Sequence, residues 1–486
     1  MIKHHFENIA FRDSVVDDKL SLWYDYARKI LKSMFKRKIY DKLLEWKRNG
    51  SQECALLIDG ARRVGKSFIV ETFAKQEYRS YLILDFTHAK QEIKDLFHRY
   101  LDDLDTFFAY LAELTNVELH PRETLIVFDE VEFFPKAREA IKQLVKDGRY
   151  DYIETGSLVS INENVKDILI PSEERDVRMY PMDFEEFLWA IGRPTLMNSI
   201  RRAYAEGKPM GLLHATALDA FRQYLVVGGM PQAVAKYVEM HDFKQVDAVK
   251  RDLLTLYRKG INKHAKHHAL KVERIYDEIP GQLSRHEKDF NFASLGVEAR
   301  YREYENAFLW LKDAMVVNVA WNVTDPNIGL KVNADDSLLK CYFLDTGLLV
   351  SHAFDENELA VQEVHRKLLT GDIELNEGML VENVVAQIFT ACGRPLYFYS
   401  NRTRENCRDK MEIDFLLSRS RTGNSNNVRL VEVKSGKNAS HKSLDKFADK
   451  FPSYVERRYL LWMKDRKTIG DIEYLPIYMA PCLVEE

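Results

Sequence analysis

The chain has 486 residues, of which 46% are hydrophobic and 30% are charged, and its formal net charge is −4. This composition argues against a disordered chain, and the length predicts about three domains. No run approaches the ~18 apolar residues that a membrane span needs, and the first residues lack the apolar core of a signal peptide. The five cysteines are far apart in the sequence, which argues against a disulfide framework. Together these features predict a cytoplasmic protein with no membrane partner.

The first part of the chain alternates between helical and strand patterns. A long helix is predicted over residues 17–47, within an N-terminal helical segment that ends near residue 50. Apolar strands are predicted at 55–59, 81–86, 124–129 and 152–156, with helices at 66–76 and 139–146. This order predicts right-handed crossovers and a parallel sheet that is covered by helices on both faces.

The pattern changes after Pro194. Residues 195–260 are mostly helical and are interrupted by the turn Gly228-Gly-Met-Pro231. Two helices and then two strands follow, at 271–283, 297–313, 316–323 and 338–344, an order that is typical of a winged helix. The last part mixes both element types again, with helices at 377–392 and 442–450 and strands at 396–399, 413–417, 428–434 and 458–462.

The clearest motif lies between the first predicted strand and the following helix. The segment Gly60-Ala-Arg-Arg-Val-Gly-Lys-Ser67 fits the pattern G-x-x-x-x-G-K-[ST] in full. In such a loop the backbone N–H groups and the helix N-terminus bind phosphates. We therefore expect Lys66 to reach the β- and γ-phosphates of ATP and Ser67 to bind Mg²⁺; a plain connecting turn is the alternative. The residues predicted to surround the nucleotide here are Gly60, Ala61, Arg62, Arg63, Val64, Gly65, Lys66, Ser67 and Phe68.

Two further segments are predicted to complete the nucleotide site. The apolar strand Leu125-Ile-Val-Phe-Asp-Glu130 ends on two acids, at the sheet edge where open α/β sheets bind their ligands. Asp129 is expected to hold the Mg²⁺, and Glu130 is expected to polarise the attacking water as a general base. Thr155 and Ser157, at the end of the next strand, are placed to sense the γ-phosphate, although an ordinary turn explains them equally well.

Together these residues resemble an AAA+ ATPase, in particular the bacterial and archaeal branch whose loop reads G-x-R-R-x-G-K-[ST]. Other landmarks of that branch follow in the same order: Phe133-Phe-Pro, Thr155-Gly-Ser157, Tyr180-Pro-Met-Asp-Phe-Glu-Glu-Phe187, Gly228-Gly-Met-Pro231, Tyr342-Phe-Leu-Asp-Thr-Gly-Leu348 and Leu430-Val-Glu-Val-Lys434. The resemblance covers about residues 35–465. It implies an ATPase followed by a helical and winged-helix part and a C-terminal domain of unsettled role. It also implies that Pro231 packs on the adenine, although a helix-breaking turn explains this proline as well.

One landmark departs from the family pattern. Members of the branch often carry Gly-Arg shortly before the Tyr-Pro segment, whereas this chain reads Glu174-Arg-Asp-Val-Arg-Met-Tyr-Pro181 without the glycine. Arg175 or Arg178 would then be the candidate arginine finger in a homo-oligomer, and a surface arginine is the alternative. A trans-acting arginine is therefore a weaker expectation than ATP binding.

Acidic and basic residues in the last part form a second candidate site. Asp414 and Glu432 lie on neighbouring predicted strands, and Lys434 shares a strand face with Glu432. With Glu382 on the preceding helix, this pattern resembles the PD-(D/E)xK nuclease-like fold. The resemblance implies that the carboxylates bind Mg²⁺ or Mn²⁺ and that the lysine orients water. A fold kept for binding, or a salt bridge between these residues, is the alternative.

The surrounding segment is also basic. Residues 394–458 contain 15 Lys or Arg and 8 Asp or Glu, within an otherwise acidic chain. A cationic surface that carries aromatic residues suits a phosphate backbone and makes DNA a candidate partner. A solvated basic face is the alternative.

These patterns predict an α/β fold with five parts: an N-terminal helical segment (1–50), an AAA+ P-loop ATPase core (51–195), a helical lid (196–260), a winged-helix-like domain (261–345) and a restriction-endonuclease-like C-terminal domain (346–486). The predicted function is ATP binding and hydrolysis with Mg²⁺, coupled to DNA handling by the C-terminal domain. The alternative is a nucleotide-dependent switch that docks a protein partner and has no nuclease activity.

Overall fold

The computed structural model describes most of the chain. The described residues are 35–156, 171–265, 268–285, 289–296, 299–326, 329–354, 358–371, 377–401, 410–418, 427–435 and 440–485. Among the helices in these ranges, none is both long and apolar enough to cross a membrane. Ser157, one of the predicted sensor residues, lies outside the described residues.

A five-stranded parallel sheet, as far as the structure describes it, forms the first unit. Its strands are β1 (Ala55–Gly60), β2 (Ser80–Asp85), β3 (Thr124–Asp129), β4 (Asp151–Gly156) and β5 (Glu174–Met179), in the order β2-β3-β4-β1-β5. Residues of β1 alternate between two hydrophobic cores, with Leu56 and Ile58 in one and Ala55 and Leu57 in the other. The sheet is therefore covered on both faces, which confirms the predicted α/β class.

Helices surround this sheet and extend beyond it. They are α1 (Ile39–Asn49), α2 (Lys66–Glu77), α3 (Gln91–Arg99), α4 (Leu104–Thr115), α5 (Pro135–Asp147), α6 (Phe184–Ala190), α7 (Leu196–Ala205), α8 (Leu213–Val227), α9 (Pro231–Met240), α10 (Phe243–His264), α11 (Ala269–Leu283) and α12 (Tyr301–Asp313). Within the described residues, the helix predicted over 17–47 begins only at Ile39. Lys38, directly before this helix, contacts a distant segment: its backbone N–H donates to Glu186 Oε1 at 2.6 Å, and its ammonium lies 2.6 Å from Asp183 Oδ2.

A second sheet joins the middle of the chain to its last part. Strands β6 (Val317–Val323) and β7 (Ala334–Phe343) form an antiparallel hairpin. Strand β6 also pairs in parallel with β8 (Leu396–Asn401), which pairs with β9 (Met411–Ile413), so the described order is β7-β6-β8-β9. This sheet spans the boundary that the sequence places at residue 345, and the division into domains stays a prediction.

A third sheet lies beside the second. It contains β10 (Phe415–Ser418), β11 (Val428–Val433), β12 (Val455–Trp462), β13 (Lys467–Ile469) and β14 (Ile472–Pro476), in the described order β10-β11-β12-β14-β13. The remaining helices of the described chain are α13 (Thr346–Ala353), α14 (Glu358–Thr370), α15 (Glu377–Ala391), α16 (Lys442–Lys450) and α17 (Cys482–Glu485), of which α15 contacts β11.

The strand predicted over 413–417 is interrupted. Asp414 lies at a bend between β9, which pairs with β8, and β10, which pairs with β11. The chain changes sheet at this residue. The Asp414 side chain accepts a hydrogen bond from the backbone N–H of Val433 at 2.9 Å, so a carboxylate at the bend satisfies a backbone group of the neighbouring strand.

Candidate nucleotide site and C-terminal acidic cluster

The candidate phosphate-binding loop (residues 60–68) begins at Gly60, the last residue of β1, a position with no room for a side chain. A Cβ on Gly60 would lie 2.4 Å from the carbonyl oxygen of Met179 on β5. Further along, Gly65 has a φ of 99° and Arg63 a φ of 67°, both in the left-handed region. Such positions turn successive N–H groups toward one side and make an anion-binding concavity, after which α2 begins at Lys66.

The Lys66 ammonium is held inside this loop. Its Nζ donates to the carbonyl oxygens of Gly60 at 2.8 Å and Ala61 at 3.2 Å, and the residue is only 7% exposed. Burial lowers the pKa of Lys66, and the acids nearby, led by Glu130 and Glu132, oppose that effect. Neutral carbonyl oxygens are weak partners for a buried ammonium. A bound anion at this loop would therefore be a stronger partner for Lys66.

The acids predicted for the other half of the site meet the loop across the sheet edge. Ser67 Oγ donates to Asp129 Oδ1 at 2.9 Å, and Thr155 Oγ1 donates a short hydrogen bond to the same oxygen. The backbone N–H of Glu130 donates to Thr155 Oγ1 at 3.3 Å, and Glu130 itself has a φ of 53°. Three segments that are distant in the sequence thus meet at this edge: Lys66 with Ser67, Asp129 with Glu130, and Thr155.

This oxygen set fits a magnesium ion. Mg²⁺ prefers a few carboxylate or hydroxyl ligands together with phosphate oxygens, and Ser67 and Asp129 present one hydroxyl and one carboxylate in contact with each other. When bound, the ion would neutralise charge on the transferred phosphoryl group. Thr155 donates its hydroxyl hydrogen to the same carboxylate oxygen that Ser67 contacts.

The other predicted loop residues differ in exposure. Val64 is fully buried, whereas Arg63 is exposed and Phe68 is 49% exposed at the start of α2. Pro231, the first residue of α9, lies close to the loop: its Cγ is 3.9 Å from the position of a Cβ on Gly65. The turn that carries Pro231 is therefore beside the phosphate-binding loop, and its contact with adenine stays a prediction.

The two candidate arginine fingers lie at different places on β5. Arg178 is next to the loop, with its Nε 3.3 Å from Asp59 Oδ2. Arg175 is near the other end of the sheet, 3.5 Å from where a Cβ on Gly50 would lie. Burial raises the pKa of Asp59 to about 6, and Arg178 opposes this shift. A role in a neighbouring subunit stays a prediction for both arginines.

Side chains that the sequence analysis missed hold the loop from outside. Arg37 donates from Nη1 to the carbonyl oxygen of Val64 at 3.0 Å and from Nη2 to that of Tyr180 at 2.7 Å. On the other side, Tyr257 of α10 donates its hydroxyl to the carbonyl oxygen of Arg62 at 2.8 Å. No local signal marks Arg37 or Tyr257, because each acts on a segment far away in the sequence.

A buried carboxylate connects the Gly228–Pro231 turn to the last part of the chain. Asp345, which is fully buried, accepts hydrogen bonds from the N–H of Gly229 at 2.6 Å, from the N–H of Leu348 at 2.9 Å and from Gln387 Nε2 at 3.2 Å. Gln387 belongs to α15, which also carries Glu382. The turn beside the nucleotide loop and the helix of the second candidate site thus share one acceptor.

The four residues predicted for the C-terminal site lie near one another. Lys434 Nζ is 2.6 Å from Glu432 Oε1, and both residues interact electrostatically with Asp414 and Glu382. Burial raises the pKa of Glu432 to about 7, and Lys434 opposes the shift. We call Glu382, Glu412, Asp414 and Glu432 the acidic cluster.

A lysine that the sequence analysis did not single out lies inside the acidic cluster. Lys340 of β7 is fully buried, and its Nζ is 2.6 Å from Glu412 Oε1, 3.5 Å from Asp414 Oδ1 and 3.9 Å from Glu382 Oε2. Across the described ranges, no group of three or more His, Cys, Asp or Glu side chains is arranged to hold a metal ion. The Mg²⁺ or Mn²⁺ expected from the nuclease-like resemblance stays a prediction.

Three family models match separate segments of the chain. Residues 52–188 match a model described as AAA domain, residues 218–358 match a domain of unknown function (DUF8612), and residues 377–479 match another domain of unknown function (DUF4143). No curated protein matches the chain. Among solved structures, the S. cerevisiae Hsp104–ADP complex matches with 12% identity over 74% of this chain and a TM-score of 0.26, and the match spans 44% of the Hsp104 chain. Residues 52–188 are therefore similar to an AAA domain, and the general activity that this similarity indicates is ATP binding and hydrolysis.

Proposed function

We propose that the protein binds ATP together with Mg²⁺ at the loop 60–68, hydrolyses it, and transmits the nucleotide state to the C-terminal part as a molecular switch. The observation that carries this proposal is the meeting of Lys66 and Ser67 with Asp129 and Glu130 at one sheet edge. Lys66 leaves its two carbonyl partners for the β- and γ-phosphates of ATP. Ser67 and Asp129 hold the metal ion.

Hydrolysis follows from the placement of Glu130. Glu130 follows Asp129 at the end of β3, its backbone is in the left-handed region, and its N–H donates to Thr155 Oγ1. From there Glu130 accepts a proton from the water that attacks the γ-phosphorus, while Lys66 stabilises the negative charge on the phosphoryl oxygens. Phosphate leaves with the new oxygen, and ADP keeps the bridging oxygen.

Substitutions at Lys66 and Glu130 separate binding from turnover. We expect Lys66→Ala to abolish ATP binding in calorimetry, and Glu130→Gln to keep binding but to lose hydrolysis by at least a hundredfold, as for removal of a general base. Lys75→Ala is the matched control, because Lys75 lies on the same helix and its ammonium pairs with Glu71 on the surface. Full ATPase activity in Glu130→Gln would reject the assigned base.

The buried Asp345 supports a switch function, because it links the Gly228–Pro231 turn to α15 by hydrogen bonds. A nucleotide that moves the Gly228–Pro231 turn also moves the N–H of Gly229, which shares the Asp345 acceptor with Gln387 on α15. A shift at the turn therefore alters the hydrogen bonds of the C-terminal part. The partner proposed for this switch is a protein. Native mass measurement with ATP and with ADP checks the model, since a closed switch stays monomeric and a ring-forming motor assembles with ATP.

DNA handling is the second candidate, and its support is the excess of Lys and Arg over residues 394–458. A basic surface of this kind gives salt-dependent binding to phosphate backbones. Electrophoretic assays with single-stranded, duplex and branched DNA, with and without ATP at low salt, test it directly. Absence of any shift at low salt would remove DNA from the proposal and leave the protein switch.

A further inference from the structure

A cavity opens between the first turns of α10 and the helix α14. Its volume is about 90 Å³, several times the ~10–15 Å³ that a single water molecule needs. The residues that line it include Lys244, Asp247 and Arg251 of α10 and Gln362 and His365 of α14. Asp247 and His365 are buried, whereas Lys244 and Gln362 are exposed. The cavity therefore reaches from solvent to two buried polar side chains and has room for a small molecule.

The imidazole of His365 lacks a partner on the wall of this cavity. Within the described residues, neither of its ring nitrogens has a hydrogen-bond partner, although only 3% of the residue is exposed. The ring of Phe243 is an apolar neighbour, with its centroid 6.1 Å from that of the imidazole. A buried polar group without a partner destabilises a fold. The position of His365 therefore indicates a function in binding rather than in packing.

Positive charges face the cavity from α10. The helix begins at Phe243, so the positive end of its dipole lies beside the cavity, where Asp242 caps one N–H. Lys244 lines the cavity from the first turn of the helix, and Arg251 lines it from the third. Lys250, on the same helix, is fully buried. An anion in the cavity would therefore be attracted by three cationic side chains and by the start of a helix.

Asp247 is the one acid among the described residues that line the cavity, and its carboxylate already has partners. It accepts hydrogen bonds from Ser351 Oγ at 2.5 Å and from Arg251 Nε at 2.8 Å. It also lies 4.0 Å from Lys250 Nζ. Because these partners offset its charge, Asp247 repels a bound anion less than an unpaired carboxylate would.

The same charges determine the protonation of His365. Burial and the charge of Lys250, with a smaller effect of Arg251, lower the pKa of His365 to about 3, and Asp247 opposes the shift. The imidazole is therefore neutral at pH 7, and one of its nitrogens is an N–H donor. An oxyanion that accepts this N–H would give the buried ring a partner and would offset the nearby cations.

We propose that this cavity binds the oxyanion group of a small molecule, either free phosphate or a phosphate monoester. His365 donates an N–H to the anion, and Lys244 and Arg251 supply positive charge from the opposite helix. The cavity shares no residue with the loop 60–68, and the proposal does not depend on ATP binding there.

Phosphate binding by the full-length chain tests the proposal. The parent protein is Lys66→Ala, which separates binding at the cavity from binding at the loop 60–68. Inorganic phosphate and glycerol 3-phosphate are titrated in parallel by calorimetry at constant ionic strength, because the first reports a free ion and the second a phosphorylated small molecule. We expect the parent to bind one equivalent of at least one of these probes, and the tighter probe to identify the source of the phosphate group.

His365→Leu in the same background should weaken this binding at least tenfold, because it removes both ring nitrogens and keeps a side chain of similar volume. His98→Leu is the matched control, since His98 is exposed on α3, and it should bind as the parent does. No binding of either probe at millimolar concentration would overturn the proposal. Undiminished binding in a folded His365→Leu variant would do the same.

Lys244→Gln keeps the proposal testable if His365→Leu does not fold, because Lys244 is exposed and its replacement leaves the core intact. We expect the affinity for the tighter probe to fall at least threefold. Lys259→Gln is its control, since it removes an exposed lysine of the same helix about 22 Å further along the axis. Equal affinities in Lys244→Gln and Lys259→Gln would show that the anion is not bound in this cavity.

Discussion

Replacing Asp345 should destabilise the protein strongly, because one buried carboxylate satisfies donors from three segments. In Asp345→Ala the N–H groups of Gly229 and Leu348 lose their acceptor inside the protein, while Gln387 keeps a second partner, the hydroxyl of Tyr224 at 3.0 Å. Each buried donor left unsatisfied costs about 1–3 kcal/mol. The expected loss in the free energy of unfolding is therefore about 2–6 kcal/mol, a large part of the ~5–15 kcal/mol that stabilises a typical domain.

The assay is unfolding in guanidinium chloride, followed by far-UV circular dichroism. The free energy of unfolding is compared for the first transition, because a chain with several units can unfold in more than one step. Asp219→Ala is the control. Its side chain is 62% exposed and lies 3.7 Å from Arg222, so its removal should change stability by less than ~1 kcal/mol. We also expect ATP affinity to fall in Asp345→Ala, since Gly229 precedes Pro231 beside the loop. If Asp345→Ala were no less stable than Asp219→Ala, the hydrogen bonds to Asp345 would contribute little to the stability of the fold.

Two further predictions concern pH and the phosphate-binding loop. Because the pKa of Glu432 is raised to about 7, the folded protein binds more protons than the unfolded chain between pH ~4.5 and ~7. The free energy of unfolding should therefore fall by up to about 3 kcal/mol as pH rises through that window. Unfolding at pH 5 and pH 8 checks this, and an unchanged pH dependence in Glu432→Gln would contradict it. Gly60→Ala should weaken ATP binding at least tenfold, because its Cβ would meet the Met179 carbonyl oxygen at 2.4 Å; Gly281→Ala, inside α11 with no atom closer than 3.9 Å, should bind ATP normally in the same calorimetry.

Local patterns predicted the strands and helices well where burial is continuous. The sequence placed a strand at 124–129, which is the observed β3, and a helix at 442–450, which is the observed α16. These segments have a clear apolar period or an unbroken apolar run. Strand β5, Glu174–Met179, was missed, because it is a mostly charged edge strand that alternates weakly and reads as a polar segment.

The sequence by itself also predicted a nucleotide-binding loop, since Gly60, Lys66 and Ser67 are close together in the chain and their spacing reflects one local structure. The position of Lys340 inside the acidic cluster, the acceptor role of Asp345 and the support from Arg37 were decided only by the tertiary structure. Each depends on contacts between residues that are tens or hundreds of positions apart, such as Gly229 with Asp345. A lysine beside apolar residues in a strand has the same local sequence pattern whether its side chain is buried among carboxylates or exposed to solvent, because the partners that decide its role lie on other elements.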